Sequence, residues 1–155
     1  MNQETLTNPS TQAGGDVLTA PLRVADVMTH DSKALSPDQG FNEVVSLMAS
    51  HPFHHVLVVD GEERLHGVIS DRDVLRAMSR IPDWTKKHVS EIMSRELITT
   101  TPDRAISAAL KTMLDKRINC LPVLGADQRV CGILTSTDLL RAYQTVQEKI
   151  EVGKD

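Results

Sequence analysis

Phe41, Val44, Val45 and Met48 recur at the i, i+3, i+4, i+7 spacing of one helical face, and Ile106, Ala109, Leu110 and Met113 repeat the pattern. Ser36-Pro37-Asp38-Gln39 precedes the first as a capping box, with a hydroxyl at the N-cap, Pro at the first helical position and a reciprocal Gln. Thr101-Pro102-Asp103 precedes the second, with Arg104 in place of the Gln. Helices are predicted to start at both. Residues 56–59 and 121–124 are short apolar runs whose β-branched content predicts strands buried on both faces. Pro122 places the second run at a sheet edge or a strand start. The turn residues Asp60-Gly61-Glu62-Glu63 and Gly125-Ala126-Asp127-Gln128 then fold residues 65–69 and 130–134 back as hairpins. Further helices are predicted from Ser70 and Thr135, with stripes Val74, Leu75, Met78 and Leu139, Leu140, Tyr143, Val146. Short extended pieces at 33–35 and 98–100 complete the order strand, helix, strand, strand, helix, twice.

The duplication is literal, with every match 65 positions on and no gap: Val24-Ala25-Asp26-Val27-Met28 returns as Val89-Ser90-Glu91-Ile92-Met93, and Pro37-Asp38 as Pro102-Asp103. Gly67-Val68-Ile69-Ser70-Asp71-Arg72-Asp73 returns as Gly132-Ile133-Leu134-Thr135-Ser136-Thr137-Asp138. The expected division is an arm at 1–20 (polar, without apolar periodicity, and expected to be disordered), a first repeat at 21–80, a linker at 81–88, a second repeat at 89–147 and a tail at 148–155. The fold class is α/β (α+β), two βαββα repeats. At 155 residues the chain suits one compact domain. Each copy alone is near the size at which a single core is marginal, so the copies are expected to pack on each other.

Lys and Arg total 17 against 21 Asp and Glu, a net charge of −4, which supplies no basic field for nucleic acid. No stretch approaches the roughly 20 apolar residues of a membrane span, and no signal-peptide pattern is present, so a cytoplasmic location is expected. Cys120 and Cys131 are too few for a disulfide framework; reduced thiols are expected, with a cross-strand redox pair as the alternative. Trp84 in the linker is expected to pack on the core or at a subunit interface.

Chemistry is sought in Ser70-x-x-Asp73 and Thr135-x-x-Asp138. A hydroxyl followed by an acid three residues on is also a helix cap, and that alternative stays open. A strand running straight into a helix, however, gathers a hydroxyl, a carboxylate and free helix N–H groups at one crevice. The carboxylate repels phosphate but accepts hydrogen bonds from a vicinal ribose diol, so sugar is expected at the acid and phosphate away from it, towards cations. Arg72, Lys116 and Arg117 are the candidates for phosphate, against the reading of solvated helix ends.

These residues resemble tandem cystathionine-β-synthase-type repeats, or CBS domains, which pair into a Bateman module; the resemblance covers about 21–147. It implies two clefts related by a pseudo-twofold axis that commonly take adenine nucleotides, with Ser70 and Asp73 serving one and Thr135 and Asp138 the other. It further implies adenine against Lys33 and Ala34 or Ile98 and Thr99, and against His55 and Val56 or Cys120 and Leu121. Arg72 beside the first acid faces uncharged Thr137 beside the second, so unequal affinities are expected.

The function expected is a regulatory sensor of AMP, ADP or ATP that acts on a separate, unidentified target protein and assembles as a homodimer through its apolar second helices. The alternatives are S-adenosylmethionine or a cyclic dinucleotide as ligand, or a ligand-free structural and dimerisation module. No cofactor and no metal is required: His51, His54 and His55 cluster, but Lys116, Asn119 and Cys120 stand at those positions in the second copy. His54 or His55 at a cleft mouth would aid phosphate binding when protonated. No phosphate loop, nucleophile elbow or His-Glu-x-x-His helix is present, and an enzyme is not expected.

Overall fold

The computed structural model describes residues 21–154, and the expected arm at 1–20 lies outside the described residues. The first copy runs α1 (Val24–Val27), β1 (Ala34–Leu35), α2 (Phe41–Ser50), β2 (His55–Val59), β3 (Leu65–Ser70) and α3 (Asp71–Arg80). A 3₁₀ turn at Trp84–Lys86 leads to the second: α4 (Val89–Ile92), α5 (Ile106–Lys116), β4 (Cys120–Leu124), β5 (Val130–Thr135) and α6 (Ser136–Val152). In the first sheet β1 pairs parallel with β2, and β2 antiparallel with β3; β4 and β5 form the second. The hairpins match down to a register shift at Val58/Val59 and Val123/Leu124, and each turn holds one residue in the left-handed region, Glu63 at φ 62 and Gln128 at φ 65.

Three expectations change. Helices α2 and α5 begin not at the prolines but behind Gly40 and Ala105, both extended. The Pro-containing segments are turns instead, because their carbonyls are committed to the other copy. Val89 and Ser90 N–H donate to Gln39 O at 2.8 Å and Pro37 O at 3.1 Å, while Val24 and Ala25 N–H donate to Arg104 O and Pro102 O, both at 2.9 Å. Gln39 still reaches back, its Oε1 accepting the Ser36 N–H at 2.8 Å, but within a turn.

The second copy also lacks a counterpart of β1 as a strand; only a parallel bridge joins Thr100 to Val123. The cause is Pro122. In the first copy Leu57 N–H donates to Lys33 O at 3.0 Å, and Pro122, at the matching position, has no N–H to give Ile98. The proline sits in the middle of β4 with its nitrogen on the side away from β5, the edge placement its presence required. Third, α6 continues to Val152, through much of the expected tail.

The two cores show how the copies are joined. One gathers Phe41, Val44, Val56, Val58, Ile69 and Val74 of the first copy with Val89 and Met93 of the second. The other gathers Ala109, Met113, Leu121, Val123 and Leu134 with Val24 and Met28 of the first. The short helices α1 and α4 are thus exchanged, each completing the core of the copy to which it does not belong in sequence. Burying a side chain of this size contributes roughly 1.5–3 kcal/mol. Four exchanged side chains therefore supply stabilisation comparable to a domain's whole net stability of about 5–15 kcal/mol.

The exchange explains the glycine that opens each repeated motif. The segment after α1 runs beside β5, with Thr29 and Ile133 exchanging two backbone hydrogen bonds of 2.9 Å. A Cβ on Gly132 would lie 2.6 Å from Thr29 O and 3.2 Å from Met28 Sδ; on Gly67 it would lie 2.5 Å from Met93 Sδ and 2.8 Å from Ser94 O. Only glycine lets the crossing backbone approach this closely. Trp84 packs edge-on against Phe41, ring centroids 6.0 Å apart, on the first core.

The two cysteines cannot pair. Cys120 lies opposite Thr135 at one end of the hairpin, whereas Cys131 lies beside the Val123/Leu124 bulge at the other, so the expected cross-strand alternative is excluded by register; both are free thiols.

Candidate functional site

Parallel β1 and β2 start, and antiparallel β3 ends, at the same edge of the first sheet, which brings Lys33, His55 and Ser70 together. Ile98, Cys120 and Thr135 meet in the same way in the second copy. The two edges face each other across one continuous cavity of about 760 Å³, with one strand-to-helix junction on each side. Its lining includes Ser70, Arg72, Asp73, Thr135, Asp138, Lys33, His55, Ile98 and Cys120. Ala34, Thr99, Val56 and Leu121 do not line it. The last two are fully buried, because alternation along β2 and β4 turns their side chains into the cores.

Both strand-to-helix junctions are capping boxes. Ser70 Oγ accepts the Asp73 N–H at 3.2 Å, and Asp73 Oδ2 accepts the Ser70 N–H at 2.9 Å and its hydroxyl at 3.0 Å. Thr135 Oγ1 accepts the Asp138 N–H at 3.3 Å, and Asp138 Oδ2 accepts the Thr135 N–H at 2.8 Å and its hydroxyl at 2.9 Å. Capping and cavity lining coincide in the same four residues. The cap holds each carboxylate in one orientation, which pre-organises it for any ligand it meets.

Charge around the cavity is mixed. Lys33, Arg72, Lys116 and Arg141 stand against Asp31, Asp71, Asp73, Glu96 and Asp138. Arg117 is not among the lining residues; it closes α5 in the left-handed region at φ 54. The backbone carbonyls of His54 and the matching Asn119 accept the Asp71 and Ser136 N–H groups alike, both at 3.0 Å; His54 adds an exposed side-chain pair with Asp71, Nδ1 to Oδ2 2.9 Å. His51 stacks on Phe53, centroids 5.4 Å apart, outside this group. Burial holds the His55 imidazole below its ordinary 6.5, against the opposing pull of Asp71 and Asp73, which works against its carrying charge near neutral pH. Burial likewise pushes the Cys120 thiol up to about 11, with Asp73 adding to the effect, so it is protonated at neutral pH. That influence of a first-copy carboxylate on a second-copy thiol reflects how closely the two edges adjoin.

The sequence reading overlooked Thr29, Asp31, Asn119 and Arg141. Thr29 enters only through the exchange of α1, which periodicity does not reveal. Arg141 was findable, one helical turn beyond Asp138 on α6.

Among curated proteins the chain is 32% identical over 122 residues to inosine-5'-monophosphate dehydrogenase of Methanocaldococcus jannaschii, covering 79% of this chain and 24% of that one. It is 33% identical over 131 residues to the arabinose 5-phosphate isomerase KpsF of Escherichia coli, covering 84% and 39%. The chain thus spans well under half the length of these two relatives. Among solved structures, the CBS domain pair of protein MJ0100 in complex with 5'-methylthioadenosine and S-adenosyl-L-methionine matches with a TM-score of 0.73 at 26% identity, over 81% of this chain and 98% of that one. AcuB from Vibrio cholerae matches at 0.78 and 26%, over 85% and 97%. The cytosolic domain of the Mg2+ channel MgtE in complex with ATP matches at 0.66 and 27%, over 77% and 48%. The family model for the CBS domain matches twice, at residues 24–80 and 89–145, and with two repeats packed edge to edge around a shared cavity the chain belongs to the CBS-domain family as a tandem pair.

Proposed function

We propose that this protein is a regulatory module that takes an adenine nucleotide, AMP, ADP or ATP, into the cavity between its repeats and passes the bound state to a separate target protein. The observation that carries the reading is an oriented hydroxyl–carboxylate pair at a strand-to-helix junction in each copy, opening on one cavity of about 760 Å³. That volume suits a small ligand. The carboxylate is matched to a ribose diol, and Lys33, Arg72, Lys116 and Arg141 supply cations for a phosphate. The complexes of MgtE with ATP and of the MJ0100 pair with adenosyl ligands support the same chemistry. In this reading the module senses rather than catalyses, and the Cys120 thiol that lines the cavity is held protonated at neutral pH. Leu75, Met78, Leu140 and Tyr143 leave apolar area exposed on α3 and α6, which a homodimer would cover.

A second reading, S-adenosylmethionine, is favoured by the acids among the lining residues, which leave little net positive charge for a polyphosphate. Calorimetry with AMP, ADP, ATP, GMP and S-adenosylmethionine separates the readings. The nucleotide reading expects saturable binding of at least one adenine nucleotide in preference to GMP. Binding of S-adenosylmethionine alone supports the second reading, and a folded protein that binds none of them defeats both.

A further inference from the structure

The two acids are alike in sequence and unlike in surroundings. Asp138 is 6% exposed, and both of its oxygens are engaged: Oδ2 by Thr135, and Oδ1 by the Thr29 hydroxyl, which donates at 2.7 Å. Asp73 is half-buried; Ser70 takes its Oδ2, and among the described residues no donor reaches its Oδ1. The residue matching Thr29 is Ser94. Its backbone is seated the same way, exchanging hydrogen bonds of 2.9 and 3.1 Å with Val68 as Thr29 does with Ile133, yet its hydroxyl makes no bond to Asp73. The β-branch of threonine restricts χ1, which fits a hydroxyl held on one acceptor, and serine lacks that restriction.

A ribose diol presents two donors to one carboxylate. Asp73 has a whole oxygen available for them. Asp138, 6% exposed, offers only what Thr29 leaves open on Oδ1, and a diol that displaces Thr29 leaves that hydroxyl without a partner; losing one hydrogen bond to a charged group weakens binding about tenfold or more. Arg72 reinforces the difference, since Thr137 at the matching position carries no charge.

We propose that the chain holds one working nucleotide cleft, built on Asp73, and that Thr29, carried across by the exchange of α1, closes the other by occupying Asp138. The proposal rests on the nucleotide reading above and deepens it. Thr29 is a positioning residue that sets how many ligands one chain binds.

The test is calorimetric titration of the full chain with AMP, with circular dichroism to confirm that each variant is folded. The wild type is expected to bind about one AMP per chain. Asp73→Asn is expected to weaken that event at least about tenfold. Thr29→Val, which keeps the shape and removes the donor, is expected to raise the stoichiometry towards two, and Thr29→Val with Asp73→Asn to retain the newly opened site. Two sites in the wild type, full affinity in Asp73→Asn, or an unchanged stoichiometry in Thr29→Val each overturn the single cleft while leaving the nucleotide reading intact. Failure of the folded wild type and of every variant to bind AMP, ADP or ATP removes both together.

Discussion

Replacing Gly132 by alanine tests the exchange of α1 directly. The added methyl would stand 2.6 Å from the carbonyl oxygen of Thr29 and 3.2 Å from Met28 Sδ. The sulfur sits on a flexible side chain and can yield; the carbonyl belongs to a backbone joined to Ile133 by two hydrogen bonds of 2.9 Å. Relief requires the crossing segment to move outward, stretching both bonds and loosening Val24 and Met28 in the second core. Overpacking of this kind costs about 1–3 kcal/mol, and weakening a hydrogen bond adds about 1 kcal/mol. For a chain of this size 1 kcal/mol lowers Tm by about 2–4 °C, so a fall of roughly 4–16 °C is expected by differential scanning calorimetry. Gly61→Ala is the matched control: nothing lies within 4 Å of its Cβ position and its φ is not positive, so its Tm should hold or rise slightly. If Gly132→Ala melts with the control, the close crossing of the two copies is wrong.

Thr100→Val should raise stability by about 1 kcal/mol, read as a Tm increase, because Thr100 is 3% exposed, its hydroxyl has no partner among the described residues, and Leu35 fills the matching position in the first copy; an unchanged or lower Tm counts against this. His55 has a folded-state pKa below its unfolded 6.5. The stability of its neutral form is therefore fully present above about 6.5 and lost as pH falls through the folded value, so His55→Asn should flatten the loss seen in urea titrations as pH falls below about 6.5. An imidazole midpoint above 6.5 by NMR contradicts the sign. Cys120 should alkylate with a pH midpoint near 11, and oxidant should give no bond between Cys120 and Cys131; fast labelling at neutral pH refutes the burial argument. If the proposed homodimer forms through the exposed face of α6, Leu140→Asp should shift sedimentation from dimer to monomer, and an unchanged coefficient argues against that face as the interface.

The repeat, the hairpins and both capping boxes were legible in the sequence because each is local: periodicity, turn chemistry and the three-residue spacing of a cap are properties of a few neighbouring residues. The apolar residues of α2 and α5 were legible for the same reason, but the helix starts were not, since the carbonyls of Pro37, Gln39, Pro102 and Arg104 are claimed by residues far along the chain. Pro122 gave its edge position away, though not the loss of a strand next to it. The site divides in the same manner. Ser70, Asp73, Thr135 and Asp138 follow from one motif, whereas Thr29 reaches Asp138 across 109 residues, and no pattern along the chain reports such a contact.

The most direct test of the account is equilibrium dialysis comparing AMP with its 2',3'-dideoxy form, since a carboxylate set at a strand-to-helix junction is argued to recognise the sugar hydroxyls. Saturable binding of AMP with at least about a tenfold loss for the dideoxy compound is the predicted result. Equal affinity for the two, or no saturable uptake of AMP, ADP or ATP by folded protein, contradicts it.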